Sequence, residues 1–384
     1  MTASDPTGAG ATRDDGEGTS DDNETGVDAG MDDTDDGPVV TAAHGAGTER
    51  TRDLLDSVVT DRFGDASTAD VGLAALDDGA VIPDRGGTAG DGGRSEGATV
   101  VTTDAHVVDP IEFPGGDVGR LAVCGTVNDL AAMGATDPVA LSSALVVEAG
   151  TPMATVDRIT ESMAQACETA GCPLRTGDTK VMGSGDVDGV VVTTTGVGRI
   201  ERGTELAAAG VSPGDRLVVT GPVGDHGVAL LAAREGFDFA SPLESDVRPV
   251  NHLVAAAREA GTVTAATDPT RGGLANAVNE LAAASEVGVV LDERPIPVAD
   301  ATGGAAEVLG LDPLTVACEG RMVLSVDAAD ADAVVERLRQ EPGGAEAAIV
   351  GRAVEEHPGD VVLDTGFGER YLDVPTGERV PRIC

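Results

Sequence analysis

Asp117-Val-Gly-Arg-Leu-Ala-Val-Cys-Gly-Thr-Val-Asn-Asp-Leu-Ala-Ala-Met-Gly-Ala135 is the stretch that decides the architecture. Val118, Leu121, Ala122, Leu130 and Met133 recur at helical spacing, so the stretch is expected to be a helix. Asp129 stands inside this apolar run, where an acid is costly to bury unless it is paired or metal-bound. Before it, Ala98–Thr103 predicts a strand, with Asp104 where the strand emerges. After it come a strand at Pro138–Val147, a helix at Met153–Ala170, and one strand or a pair over Val187–Ile200. The mixture repeats downstream. Strands are expected at Arg216–Thr220, Gly288–Leu291, Met322–Val326 and Ala347–Val354. Helices are expected at Gly227–Arg234, Val250–Ala260, Leu274–Ala284 and Ala328–Arg339. The pattern predicts two α/β halves, linked near Gly203–Gly214.

The ends differ. Residues 1–38 hold twelve acidic residues and one basic residue with no apolar period, the composition of a disordered acidic leader. Arg50–Phe63 has helical spacing at Leu54, Leu55, Val58 and Val59. Pro83–Gly97 is a Gly-rich surface loop. Residues 356–384 show little regular pattern and are expected to be a tail ending Pro381-Arg-Ile-Cys384.

Composition narrows the function classes. Aromatics are 2% of the 384 residues, so the core must be aliphatic. A net charge of −42 repels nucleic acid and anionic membranes, and neither is an expected partner. The acids are spread along the chain, as in a surface adapted to high salt; charge tuned to one cationic partner is the alternative. No apolar run is long enough to span a bilayer and no hydrophobic signal core opens the chain, so the expected location is cytoplasmic. The five cysteines form no CxxC pair, which argues against a metal or disulfide framework.

Lys180 is the only lysine among 25 basic residues. Arginine cannot give up its proton and lysine can, so the exception points to chemistry. Lys180 lies in Gly177-Asp-Thr-Lys180 after a short expected strand, and Cys318-Glu-Gly320 places an acid after an apolar stretch. Together, Lys180 and Glu319 can exchange protons at a reacting nitrogen; a buried salt bridge is the plainer reading. Asp77-Asp78, Asp104, Asp129, Asp178 and Asp268 are carboxylates from separate segments, as a hard cation with nucleotide phosphates requires. In a chain with 67 acids, each alone reads equally as a solvated surface group. His44-Gly-Ala-Gly47 precedes a helix and suits either a phosphate cradle or a turn, and Asp268-Pro-Thr-Arg-Gly-Gly-Leu274 leads into a helix start that favours an anion.

Taken in order, Ala43–Gly47, Asp77–Val81, Thr103–Pro110, Phe113–Arg120, Gly125–Ala131, Gly177–Lys180, Asp268–Leu274, Cys318–Gly320 and Pro381–Cys384 resemble the HypE family of hydrogenase maturation factors, in the AIR synthetase or PurM-like superfamily. The resemblance implies a mixed α/β, PurM-like two-domain fold. Residues 39–205 would be an ATP-binding domain whose sheet dimerises, and 206–355 a second α/β domain. It implies ATP and Mg²⁺ as cofactors. A HypF-like carbamoyltransferase would load a carbamoyl group onto Cys384. This chain would then dehydrate the thiocarboxamide to a thiocyanate, and the cyanide would pass to a HypC–HypD complex for the iron of [NiFe]-hydrogenase. Cys384, Lys180 and Glu319 take the catalytic roles. His44, Gly45, Gly47, Asp78, Asp104, Asn128, Asp178 and Thr179 are expected to contact ATP, and Asp104, Asp129 and Asp268 to hold metal. His106 is a weaker candidate.

Overall fold

A computed structural model describes residues 40–41, 51, 54–55, 63, 70–84, 97–237, 239 and 241–374. The chain falls into two units, Met1–Val40 and Thr41–Cys384, and the strands and helices named here all belong to the second. The expected leader, the His44–Gly47 loop, most of the Arg50–Phe63 helix, most of the 83–97 loop and the Pro381–Cys384 end lie outside the described residues.

The deciding stretch is helix α1 (Val118–Ala132). Asp117 caps it, its carboxylate accepting from Gly119 N at 2.8 Å and Arg120 N at 2.9 Å. Thirteen of its fifteen residues are buried, so α1 is covered all round rather than lying on a surface. Against one side packs a five-stranded sheet in the order β1 (Ala80–Pro83), β2 (Gly97–His106), β7 (Val190–Glu201), β5 (Pro138–Glu148), β6 (Leu174–Met182). All neighbours are antiparallel except β5 and β6. On another side lies α2 (Met153–Ala170), which buries Ile159, Met163, Ala166 and Ala170 at helical spacing and stops at Gly171, φ 67°. The approach is close: a Cβ on Gly119 would stand 2.4 Å from the Ile159 carbonyl oxygen. A short hairpin, β3 (Glu112–Phe113) and β4 (Gly116–Asp117), leads into α1.

The second half is a seven-stranded sheet. Its order is β14 (Glu369–Tyr371), β13 (Val361–Asp364), β10 (Gly288–Asp292), β12 (Ala348–Val354), β8 (Arg216–Val219), β11 (Val323–Val326), β9 (Val263–Thr267). Helices α3 (Asp225–Arg234), α4 (Asn251–Ala260), α5 (Gly273–Ser285), α6 (Asp300–Leu309) and α7 (Ala331–Leu338) accompany it. Ala131 and Ala132 of α1 share a core with Val250, Leu253 and Val254 of this half. Polar clasps join the halves as well. Arg258 donates to the Gly134 and Thr204 carbonyls at 2.7 and 2.9 Å, and Arg120 Nε to the Val247 carbonyl at 2.9 Å.

Several expectations need correction. β2 does not stop at Thr103 but runs to His106, so Asp104 lies within a strand. Gly177–Lys180 lies inside β6 rather than after a strand. Of the two readings open for Val187–Ile200, one strand or a pair, the structure has the single strand, Val190–Glu201. The expected tail from 356 contains β13 and β14, with β13 paired in parallel to β10. The strand β9 and the helix α6 had not been expected. Among the described residues, no helix is long and apolar enough to cross a membrane.

Candidate active site

Three segments converge where the halves meet. Asp78 sits in the turn before β1, Asp129 on α1, and Asp268 just after β9; one carboxylate oxygen of each lies within 4.8 Å of the others. Each is placed by its own local structure. Asp77 holds the first turn, accepting from Asp78 N at 3.2 Å and Ala208 N at 3.1 Å. Thr102 on β2 donates its hydroxyl to Asp129 Oδ2 at 2.9 Å. After Asp268, the Pro269 carbonyl accepts from Cys318 N at 2.9 Å, which ties this turn to the loop carrying Glu319.

The electrostatics of the cluster are unfavourable as it stands. Asp78 Oδ2, Asp268 Oδ2 and Glu319 Oε1 are buried and accept no hydrogen bond from the described residues. Burial raises the Asp78 carboxyl well above the usual range, and the charges of Asp268, Asp77 and Glu280 add to this. Asp129 is raised likewise, by burial and then by Asp268, Asp78 and Asp104. Asp268 is pushed up to about 7 by burial, with Asp104 and Glu280 contributing. Glu319 is 3% exposed and is raised well above its ordinary value by burial, then by Asp268, Asp246 and Asp104; Arg271 opposes the shift. Carboxylates in mutual repulsion with oxygen lone pairs that accept no hydrogen bond suit a hard divalent cation, which takes oxygen ligands and removes the repulsion. The residues therefore fit Mg²⁺.

The set differs from the one expected. Asp78, assigned to ATP, joins Asp129 and Asp268, while Asp104 stands beside them. Its half-exposed carboxylate accepts from Ala105 N at 2.6 Å and lies 3.3 Å from His106 Nε2. His106 itself is buried, and burial lowers its pKa. Asn128 is not placed for a nucleotide. It is 1% exposed; its amide nitrogen donates to the Arg248 and Glu319 carbonyls at 3.2 and 3.3 Å, and its oxygen accepts from Val250 N at 2.8 Å. Both ends of the side chain are used in joining the halves. Lys180 is exposed on β6 with Nζ 2.9 Å from Asp178 Oδ2; the Lys180 ammonium and the Thr179 N–H hold the Asp178 carboxyl below its usual range. The positive charge bearing on Glu319 is that of Arg271. His44, Gly45, Gly47 and Cys384 lie outside the described residues. Thr102 and Asp246 were not read from the sequence. A threonine in an alternating strand and an aspartate in a loop look like many others in this chain.

Two family models match in tandem: the AIR synthase related protein N-terminal domain over residues 76–200 and its C-terminal domain over 212–364. The chain is similar to carbamoyl dehydratase HypE of Rhodobacter capsulatus, at 47% identity over 90% of this chain and 98% of that protein. Among solved structures it is similar to HypE in a HypE–HypF complex, with a TM-score of 0.75 and 35% identity, covering 84% of this chain and 99% of that one. HypE in complex with ATP aligns with a TM-score of 0.72 and 34% identity over 89% of this chain and 98% of that one. The two matched domains, and relatives that align along almost their whole length, place this chain in the HypE family of AIR synthase related proteins.

Proposed function

We propose that this chain is an ATP-dependent carbamoyl dehydratase, which converts a thiocarboxamide on Cys384 to a thiocyanate and so supplies cyanide for [NiFe]-hydrogenase maturation. One observation carries the reading at the level of chemistry: Asp78, Asp129 and Asp268 bring carboxylate oxygens from both halves within 4.8 Å of one another, and Asp78 Oδ2, Asp268 Oδ2 and Glu319 Oε1 are buried without a donor among the described residues. The names of the relatives support it, since one is a carbamoyl dehydratase and another was solved with ATP.

The reaction turns –S–C(=O)–NH₂ into –S–C≡N. The amide oxygen is a poor leaving group until phosphorylated; ATP, when bound, supplies that phosphoryl group, and charge neutralisation and positioning carry the step. Asp78, Asp129 and Asp268 would hold Mg²⁺, whose chemistry is neutralisation of phosphate oxygens. The nitrogen must lose two protons as phosphate departs with the oxygen. Glu319 is suited to accept one, because burial and neighbouring acids make its carboxylate a stronger base than an exposed glutamate. Lys180 is the second proton-transfer group in this reading. Asp104, Asp178 and Thr179, with His44, Gly45 and Gly47, are assigned to nucleotide contact. All nine residues of β6 are exposed, and this edge, unpaired among the described residues, is where a second copy would add to make a homodimer. Lys180 stands on that edge, so pairing would decide which site it serves.

The carbamoyl donor would be a HypF-like carbamoyltransferase, a partner supported by the similarity to HypE in a HypE–HypF complex, and the cyanide would pass to a HypC–HypD complex. The test is intact-protein mass spectrometry with the carbamoyltransferase, carbamoyl phosphate and ATP, on the full chain and on Cys384→Ala. A carbamoyl adduct confined to Cys384 that loses water only with ATP is expected. No adduct with an active partner refutes the reading.

A further inference from the structure

Glu319 belongs to the loop Cys318-Glu319-Gly320 ahead of β11, and its two parts are treated in opposite ways. Side-chain Oε1 is buried with no donor among the described residues. The backbone is pinned at both polar atoms. Its N–H donates to Asp246 Oδ1 at 3.0 Å, and its carbonyl accepts from Asn128 Nδ2 at 3.3 Å and Arg248 N at 3.4 Å. The next N–H, of Gly320, donates to Asp246 Oδ2 at 3.3 Å, so one carboxylate grips two successive amides. The contact is tight, since a Cβ on Gly320 would lie 1.9 Å from the Asp246 carbonyl oxygen.

Asp246 is itself braced. It is 2% exposed, with Arg321 Nε 3.5 Å from its Oδ2; the far end of Arg321 lies 3.5 Å from Asp225 Oδ2, and Asp225 accepts from Thr302 Oγ1 at 2.5 Å. Two carboxylates and a guanidinium buried together are a poor device for stability, because apolar side chains of similar volume serve as well. Such a network is useful where one atom must be held in place, since rigid supporting hydrogen bonds set the geometry of a reacting group.

We propose that Asp246 is a positioning residue for Glu319: by clamping the amides of Glu319 and Gly320 it sets where the Glu319 carboxylate stands, with Arg321 holding Asp246 in turn. The proposal rests on the reading of Glu319 as a proton acceptor.

The experiment uses the full chain, carbamoylated at Cys384 by the carbamoyltransferase, and measures kcat and the ATP KM for water loss. Asp246→Asn keeps one acceptor, turns an NH₂ toward the other amide and gives up the charge facing Arg321. Expected is a fall in kcat of about 10- to 100-fold with the ATP KM unchanged, as misplacement of a reacting group by a fraction of an ångström produces. Because both residues act through one carboxylate, adding Asp246→Asn to Glu319→Gln should cost nothing further. Losses that multiply in the double variant, or a change in KM alone, overturn the proposal. If Asp246→Asn does not fold, Arg321→Lys loosens the same clamp from outside and is judged by the same criteria. A Glu319→Gln protein with full turnover refutes the role of Glu319 and the proposal with it. An inactive Glu319→Gln beside a fully active Asp246→Asn refutes only the positioning.

Discussion

Replacing Asp129 with asparagine should make the metal-free protein more stable and the enzyme inactive. The three clustered carboxylates lie within 4.8 Å of one another, and Asp129 takes part in two of the pairs. At an effective dielectric of ~20, two ionised groups at that separation repel by about 3.5 kcal/mol. The raised carboxyls of Asp78, Asp129 and Asp268 favour partial protonation, which relieves some of this. A gain of roughly 2–4 kcal/mol remains for the neutral side chain. Asparagine keeps the volume, and its oxygen still accepts from the Thr102 hydroxyl, so no hydrogen bond is lost. Thermal unfolding in EDTA should therefore show Tm raised by roughly 3–6 °C for a unit of this size. Added Mg²⁺ should stabilise the parent by about 2.7 kcal/mol at a hundredfold excess over Kd, and the variant far less. A variant less stable than the parent in EDTA would show that Asp129 is a structural acceptor. A variant with the parent's full response to Mg²⁺ would show that the cation sits elsewhere.

Three further outcomes are expected. Lys180→Arg keeps an ion pair with Asp178 but cannot release a proton, so ATP binding should persist while water loss falls at least about 100-fold; unchanged turnover by mass spectrometry removes the role. The Asp268 carboxyl rises from its ordinary 3.8 to about 7 on folding, so between those values the folded state binds more protons than the unfolded one. Its contribution to metal-free stability is then lost as pH rises through that window; urea titrations of the parent should show a steeper decline than those of Asp268→Asn, and equal slopes refute the assignment. Gly119→Ala drives a Cβ to 2.4 Å from the Ile159 carbonyl and should lower stability by about 1–3 kcal/mol in urea, where an unchanged midpoint refutes the close packing of α1 on α2.

The sequence showed most clearly where period and burial coincide. Met153–Ala170 was legible to the residue because Ile159, Met163, Ala166 and Ala170 mark one face and Gly171 ends it. Helix α1 was legible from the spacing of Val118, Leu121, Ala122, Leu130 and Met133, though it ends at Ala132 rather than Ala135. β6 was read too short, as a strand ending before Gly177, because all nine of its residues are exposed and no alternation marks its length. β13 and β14 are short pieces whose place is set by β10, a partner some seventy residues away. In the site, Asp129 stood out as an acid in an apolar helix, and Asp268 by its turn. That Asp78 rather than Asp104 completes the cluster depends on how β1 and β2 lie against α1, which no local pattern records. Asn128, assigned to ATP by the resemblance, stands next to Asp129 in the sequence but uses both ends of its side chain between the halves. One step along a helix turns a side chain by about a quarter turn, enough to move it from the site into the seam between the halves.

Because α1 contributes to the apolar core of both halves, neither half has a complete interior of its own. The halves should not survive as separately expressed fragments, and the second unit should melt in one transition. Nor can they swing apart as a hinged clamshell without exposing that helix. In an enzyme built this way, the cleft is the fixed part, and the reacting group has to be brought to it.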